Sequence, residues 1–233
     1  MTRFNLVFTS YFFGVNMDYP DGPTDKAQVD SSKYDSQQLG KNDLGCVCIH
    51  GPFGNVNSDV KIAYQIGMHP LESKSHRGLF DKLTARNDLN YCYYIYNINV
   101  ANVNSETEGR LEGQLLAKEF VAPDIINKKF DLFVDIHSNR GSLGPGDYEI
   151  TNFIFAPGFD DASTKFMNLI LEKMDEIQYY APEFRSSPPY ITEITADAGI
   201  PTIIYECFTY EAMEVTYELA EELINIVDTL KFD

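Results

Sequence analysis

The sequence predicts a three-layer α/β domain built on a mixed, mostly parallel central sheet. Three observations predict it. Short runs rich in β-branched and aromatic residues alternate along the chain with longer amphipathic segments, the order expected when helices cover both faces of a sheet. Two of the runs, "FDLFVDIH" (130–137) and "PTIIYECF" (201–208), are almost continuously apolar, as strands covered on both faces are. The chain of 233 residues is 44% apolar, enough for one core of that size.

The elements follow in order. Residues 4–15 read as a first strand. An early Arg3 before an apolar run resembles a secretory leader, but Asn5, Ser10 and Tyr11 interrupt it and no small-x-small cleavage site follows. Residues 18–43, rich in Asp, Ser, Gly and Pro, read as a surface loop more mobile than the rest, with room for a short helix. Strands follow at 44–50, 60–67 and 91–100, with a weak helix over 73–87. Residues 106–122 carry Leu111, Leu115 and Phe120 at helical spacing, and Pro123 ends the run. A strand at 151–157 precedes a helix over 160–178 that turns Phe166, Leu169, Ile170, Met174 and Ile177 inward. The closing helix, 210–230, buries Leu219, Leu223, Ile226, Val227 and Leu230. It leaves Glu211, Glu214, Glu218, Glu221 and Glu222 to solvent. No repeat or linker divides the chain, so 1–233 reads as a single domain.

Charge and cysteine usage narrow the partners. Asp and Glu number 35 against 18 Lys and Arg, a net charge of −17, which disfavours nucleic acid and anionic membranes as partners. No apolar stretch approaches the length of a membrane span. Cys46, Cys48, Cys92 and Cys207 form no Cys-x-x-Cys pair, and most sit inside apolar runs, which points to a reducing cytoplasm. Cys46 and Cys48 share one strand face, too few by themselves for a metal site.

Chemistry concentrates just after the buried runs, where α/β sheets build their sites. The run ending at Gly67 is followed by His69-Pro70-Leu71-Glu72. Pro70 suits the first turn of a helix, on which His69 and Glu72, at i and i+3, share a face. A lone His-x-x-Glu is usually a surface pair. Its weight here comes from two further strand ends. His137 closes the second apolar run, with Asp135 two residues back to orient it. Two His and one carboxylate leave the fourth position of a tetrahedral zinc open to water, although iron and manganese accept the same donors. Glu206, buried at the end of the last strand, is a candidate general base that would pass a proton from water to a leaving amine. His50 reads as a partly buried histidine bonded to backbone, with a role as a further ligand or a supporting residue as the alternative, and His76 as an exposed helix residue. Tyr190 and Tyr205 are tyrosines with no signal to favour either as a substrate contact.

"GMHPLES", "FDLFVDIHSNRG" and "GIPTIIYECF", in that order, resemble the zinc carboxypeptidase superfamily, and within it the succinylglutamate desuccinylase/aspartoacylase-like branch. The likeness spans roughly 60–230 as an order of elements, with its specific residues in these three islands. Pro70 and Leu71 depart from the Gly and Asp commoner in that branch. The resemblance implies a zinc-carboxypeptidase-like fold and one zinc per chain, held by His69, Glu72 and His137, with Glu206 as base. The Asn-Arg motif of that branch has no clear counterpart here: Arg110 is the nearest stand-in for an arginine steadying the carbonyl oxygen, and Arg140 is a second candidate, better placed to hold a substrate carboxylate. The implied activity is hydrolysis of an amide bond, with a small N-acyl amino acid as substrate of a deacylase. A carboxypeptidase acting on a short peptide is the alternative, and a non-catalytic metal-binding protein on the same fold is a third reading.

Overall fold

The computed structural model describes residues 29, 34–103, 108–144, 147–158, 160–183 and 185–232. The strand expected at 4–15 lies outside these residues, as does most of the loop expected at 18–43. Part of what is described of that loop is not a loop. Ser36–Asn42 forms a strand, β1, paired antiparallel with β2, Gly45–Gly54. Its sequence, SQQLGKN, is polar because β1 is the edge of the sheet and its face is largely exposed, so it carries no apolar alternation to read.

One eight-stranded sheet runs through the described residues in the order β1-β2-β4-β3-β5-β8-β6-β7. Its centre is four parallel strands: β4 (Cys92–Val100), β3 (Lys61–Ile66), β5 (Leu132–Asn139) and β8 (Thr202–Phe208). Antiparallel β2 flanks β4, and antiparallel β6 (Phe153–Phe155) flanks β8, followed by the short β7 (Gln178–Tyr179). Every residue of β5 is buried, as its unbroken apolar run requires. Two cores result. On one face, α1 (Ser73–Thr84), α4 (Asp161–Leu171) and α6 (Met213–Val227) cover a core that includes Ile62, Tyr64, Val134, Ile203 and Leu223. On the other, α2 (Arg110–Leu116), α3 (Ala122–Lys128) and α5 (Thr192–Asp197) enclose Ala63, Tyr96, Phe133 and Leu116.

The two long amphipathic helices bury the residues their periodicity selects. Phe166 and Ile170 of α4 are in the core, as are Leu219, Leu223, Ile226 and Val227 of α6, while none of the five glutamates expected in solvent is buried. α4 is shorter than expected and ends at Leu171, because Gln178 joins a strand.

The segment after Arg110 departs from its sequence reading in two ways. Pro123 does not end the helix. A π-helical stretch over Ala117–Val121 resets the hydrogen-bond ladder, so Pro123 falls in the first turn of α3, where its missing N–H costs nothing. Leu111 and Leu115 point outward, 51% and 37% exposed, and the buried face carries Gly113, Gln114 and Leu116 instead. The cause is close approach: a Cβ on Gly113 would lie 1.8 Å from the carbonyl oxygen of Met68. A glycine at that position lets α2 lie flush on the backbone just before His69.

Gly113→Ala therefore has to push α2 away from Met68. Overpacking of this kind costs about 1–3 kcal/mol, and urea unfolding should read a loss in that range. An unchanged midpoint would show that the helix does not depend on this contact.

Candidate metal and catalytic site

Sheet register assembles the site. β3, β5 and β8 are adjacent and parallel, so their carboxyl ends open side by side. Gln65 of β3 faces Asp135 of β5, and His137 of β5 faces Glu206 of β8. After β3 the chain turns at Gly67 (φ 82°), and Pro70–Glu72 forms one tight turn leading into α1, with His69 extended just before it. Lys74 then donates to the carbonyls of Thr209 and Glu211, at 2.8 and 2.7 Å, tying the start of α1 to the segment after β8.

At the centre is the Glu72 carboxylate, 7% exposed. Its Oε1 lies 2.9 Å from His69 Nδ1 and 2.7 Å from Arg110 Nη1. Its Oε2 lies 2.7 Å from His137 Nδ1 and accepts from the Ser138 backbone N–H at 3.3 Å. Behind His137, Nε2 is 3.0 Å from Asp135 Oδ2, an ion-pair distance at which neither atom completes a hydrogen bond. Asp135 Oδ1 accepts from Gln65 Nε2 at 2.7 Å.

Electrostatics follow from burial and these partners. Burial alone would raise the Glu72 pKa, but His69 and His137 outweigh it and hold the carboxyl well below its usual range. Burial works against charging His137, yet Asp135 and Glu72 on either side of the ring lift its pKa well above that of a free imidazole. Burial pushes His69 down to about 4. Glu206 is raised to about 8 by burial, with Glu72 adding to the rise and His137 and Asn139 opposing it.

One ligand atom from each of His69, Glu72 and His137 lies within 4.8 Å of the other two. The donor set fits a metal: two ring nitrogens and a carboxylate oxygen converge in a buried place, and a second carboxylate backs one imidazole. Both His Nδ1 atoms face the same carboxylate, so each contact needs a proton or a cation between nitrogen and oxygen.

The six residues expected to carry the chemistry come together. His69, Glu72, Arg110, Arg140 and Glu206 line one cleft with about 550 Å³ of empty space, and His137 stands behind Glu72. Arg140 is paired with Glu108 across the cleft, Nη2 to Oε1 at 3.0 Å. Other residues of the site had no sequence signal. Asn139 donates to Glu206 Oε2 at 3.2 Å and to the Thr151 carbonyl at 2.8 Å, and its own oxygen accepts from Gly141 N–H. Tyr148, Glu108 and Thr209 also line the cleft. "HSNRG" placed Asn139 two residues from a candidate ligand, the one hint available. Tyr148 and Glu108 come from loops whose path no periodicity predicts. Tyr205 is a core residue, and Tyr190 is half-buried beneath Lys118.

Two histidines correct their sequence readings. His76 is not on an exposed turn. It is 2% exposed, with Nε2 3.1 Å from the Ile136 carbonyl, because α1 lies directly against β5. His50 is fully buried rather than partly so, and it is not bonded to backbone: its ring packs edge-on against Phe80 at 5.4 Å and neither nitrogen has a hydrogen-bond partner among the described residues.

The fold recurs in solved structures. The chain matches a metallo-carboxypeptidase from Burkholderia cenocepacia with a TM-score of 0.54 at 15% identity, over 84% of this chain and 64% of that one. The chain has the metallo-carboxypeptidase fold. A metallo-carboxypeptidase from Pseudomonas aeruginosa, in complex with (2-guanidinoethylmercapto)succinic acid, matches at 0.51 and 15% identity, over 79% and 60%. The product-bound cell shape determinant protein Csd4 from Helicobacter pylori shares the metallo-carboxypeptidase fold at 0.53 and 9% identity, over 78% and 53%. The chain thus spans between about half and two thirds of these neighbours' length. No family model matches it, and no curated protein matches it in sequence.

The raised His137 pKa has a consequence for metal uptake. A proton retained on His137 competes with any cation, so affinity should rise with pH until the pH passes that raised pKa, and uptake should release protons. Calorimetry of zinc binding to chelator-stripped protein, in buffers of different ionisation enthalpy, measures the release. A pH-independent affinity would place the metal elsewhere.

Proposed function

We propose that this protein is a zinc-dependent hydrolase of amide bonds, acting as a deacylase on a small N-acyl amino acid. The observation that carries the reading is the shared cleft: His69, Glu72 and His137 converge beside Glu206, with Arg110 and Arg140 opening onto the same space. The chain would work as one catalytic unit, in which His69, Glu72 and His137 are the residues that would hold one zinc. A zinc ion there supplies Lewis-acid polarisation of the amide carbonyl and acidifies water.

The chain's own residues do the rest. Glu206 takes a proton from the attacking water and returns it to the leaving amine. Burial raises its pKa, which strengthens it as a proton acceptor once a nearby dication favours its ionised form. Arg110 spends one donor on Glu72 and keeps others for the oxygen that gains charge at the carbonyl. Arg140 receives the substrate carboxylate, exchanging its pairing with Glu108 for it. Asn139 keeps the Glu206 carboxylate turned into the cleft. The four free cysteines support a cytoplasmic location.

Two of the structural neighbours are metallo-carboxypeptidases, which favours a second reading, a carboxypeptidase acting on short peptides. The bond is the same in both, an amide whose amine belongs to an amino acid with a free carboxylate. Glu108 beside Arg140 suits, in this reading, a terminal residue that also carries a cation. Turnover on a panel of N-acyl amino acids and short peptides separates the two.

Three variants test the assignment. His137→Ala should abolish stoichiometric zinc, read by elemental analysis, and full occupancy would remove that residue from the site. Glu206→Gln should keep zinc and fold while losing about 10²–10⁴-fold in turnover. Wild-type rates in that variant, on a substrate the parent hydrolyses, would sink the mechanism. Arg140→Gln should raise KM by about 10-fold or more, the loss of a charge-assisted pair worth about 1.5–3 kcal/mol, with a smaller effect on kcat. An unchanged KM for carboxylate-bearing substrates would dismiss it as the carboxylate holder.

A further inference from the structure

α2 carries two side chains aimed at the His-x-x-Glu pair. Arg110 and Gln114, at i and i+4, share a helix face. Arg110 reaches Glu72, and Gln114 Nε2 lies 3.3 Å from His69 Nε2 and 3.0 Å from Ser186 Oγ. Gln114 is 3% exposed, and Gly113 beside it seats the helix against the Met68 carbonyl. The amide therefore cannot drift from the ring without moving α2.

The contact matters because an imidazole has one proton to place. To offer Nδ1 as a lone pair, on the side where Glu72 lies at 2.9 Å, neutral His69 must carry its proton on Nε2. A buried N–H needs an acceptor. Among the described residues, Gln114 is the group that reaches that nitrogen.

A side-chain amide can present oxygen or nitrogen at the same place by a half-turn. With its oxygen toward His69 it accepts from Nε2–H, and the Ser186 hydroxyl donates to that same oxygen, so both contacts survive. With its nitrogen toward His69 it donates to Nε2, and the ring proton sits on Nδ1, facing Glu72. Glutamine serves both tautomers. A carboxylate would serve only the first, and would add a further negative charge to a site that already buries Asp135 and Glu72 beside the half-buried Glu206.

We infer that Gln114 is the positioning residue for His69, holding it in the tautomer that presents Nδ1 to the metal. The inference rests on the metal reading above. Partners of this kind change metal affinity by about 10–100-fold when removed.

The test is zinc affinity, measured by competition with a chromophoric chelator on the full chain, with thermal midpoints recorded alongside. Gln114→Leu keeps the bulk but not the acceptor, and should weaken zinc by about 10–100-fold. Gln114→Glu restores an acceptor and should bind zinc at least as tightly as the parent. Zinc affinity within twofold of the parent for Gln114→Leu overturns the inference alone. So does equal weakening in both variants, which marks a packing role. Failure of the parent to bind zinc overturns the metal reading and this inference with it. In the zinc-loaded parent, ¹⁵N shifts should place the His69 proton on Nε2, and a proton on Nδ1 overturns the assignment even where affinities change.

Discussion

The structure of this site depends on a buried carboxylate that has been given enough charged and hydrogen-bonding partners. A carboxylate removed from water costs several kcal/mol unless it is paired and hydrogen-bonded. Glu72 meets that cost with His69, His137, Arg110 and the Ser138 N–H. These partners come from four places in the chain: the turn after β3, α2, and two positions on β5. Any shift among them leaves a buried charge short of a partner. The carboxylate thus ties sheet, turn and helix to one geometry, and a cation binding there inherits ligands already held in place.

Arrangement around that point is economical in its physical means. Parallel pairing of β3, β5 and β8 brings three strand ends together, and register alone sets His137 opposite Glu206 and Gln65 opposite Asp135. Support then comes in pairs: Asp135 is held by Gln65, and Glu206 by Asn139. Each holder is buried, and each is held by backbone or a neighbouring strand, the arrangement that keeps reacting groups within a narrow range of positions. Raised and lowered pKa values follow from the same burial. Glu206 goes up because its desolvation outweighs the opposing pull of His137, Asn139 and Arg110, while Glu72 goes down because its partners outweigh its burial.

The elements that were hard to read share a cause. β1 is polar because an edge strand facing solvent has no core to satisfy. α2 turns its leucines outward because glycine permits a backbone contact that outweighs side-chain burial. His76 is buried because α1 lies against β5, a fact of packing and not of local pattern. In each case tertiary contact overrode a local preference that pointed elsewhere.

By itself the sequence determined the mostly parallel α/β class, the buried central strands, the inward faces of α4 and α6, and the candidate residues at the strand ends that the fold brings together. Those signals are local: an apolar period, and a polar residue interrupting an apolar run, survive without knowledge of neighbours. Only the tertiary structure decided which side chains support them. Gln114, Asn139, Glu108 and Tyr148 are polar residues on short helices, strand ends and loops, where the same residue types stand throughout any surface. What marks them is distance to His69, Glu206 or Arg140 across the chain. Such distances arise from sheet register and helix seating, which act over dozens of residues and leave no trace in the order of amino acids nearby.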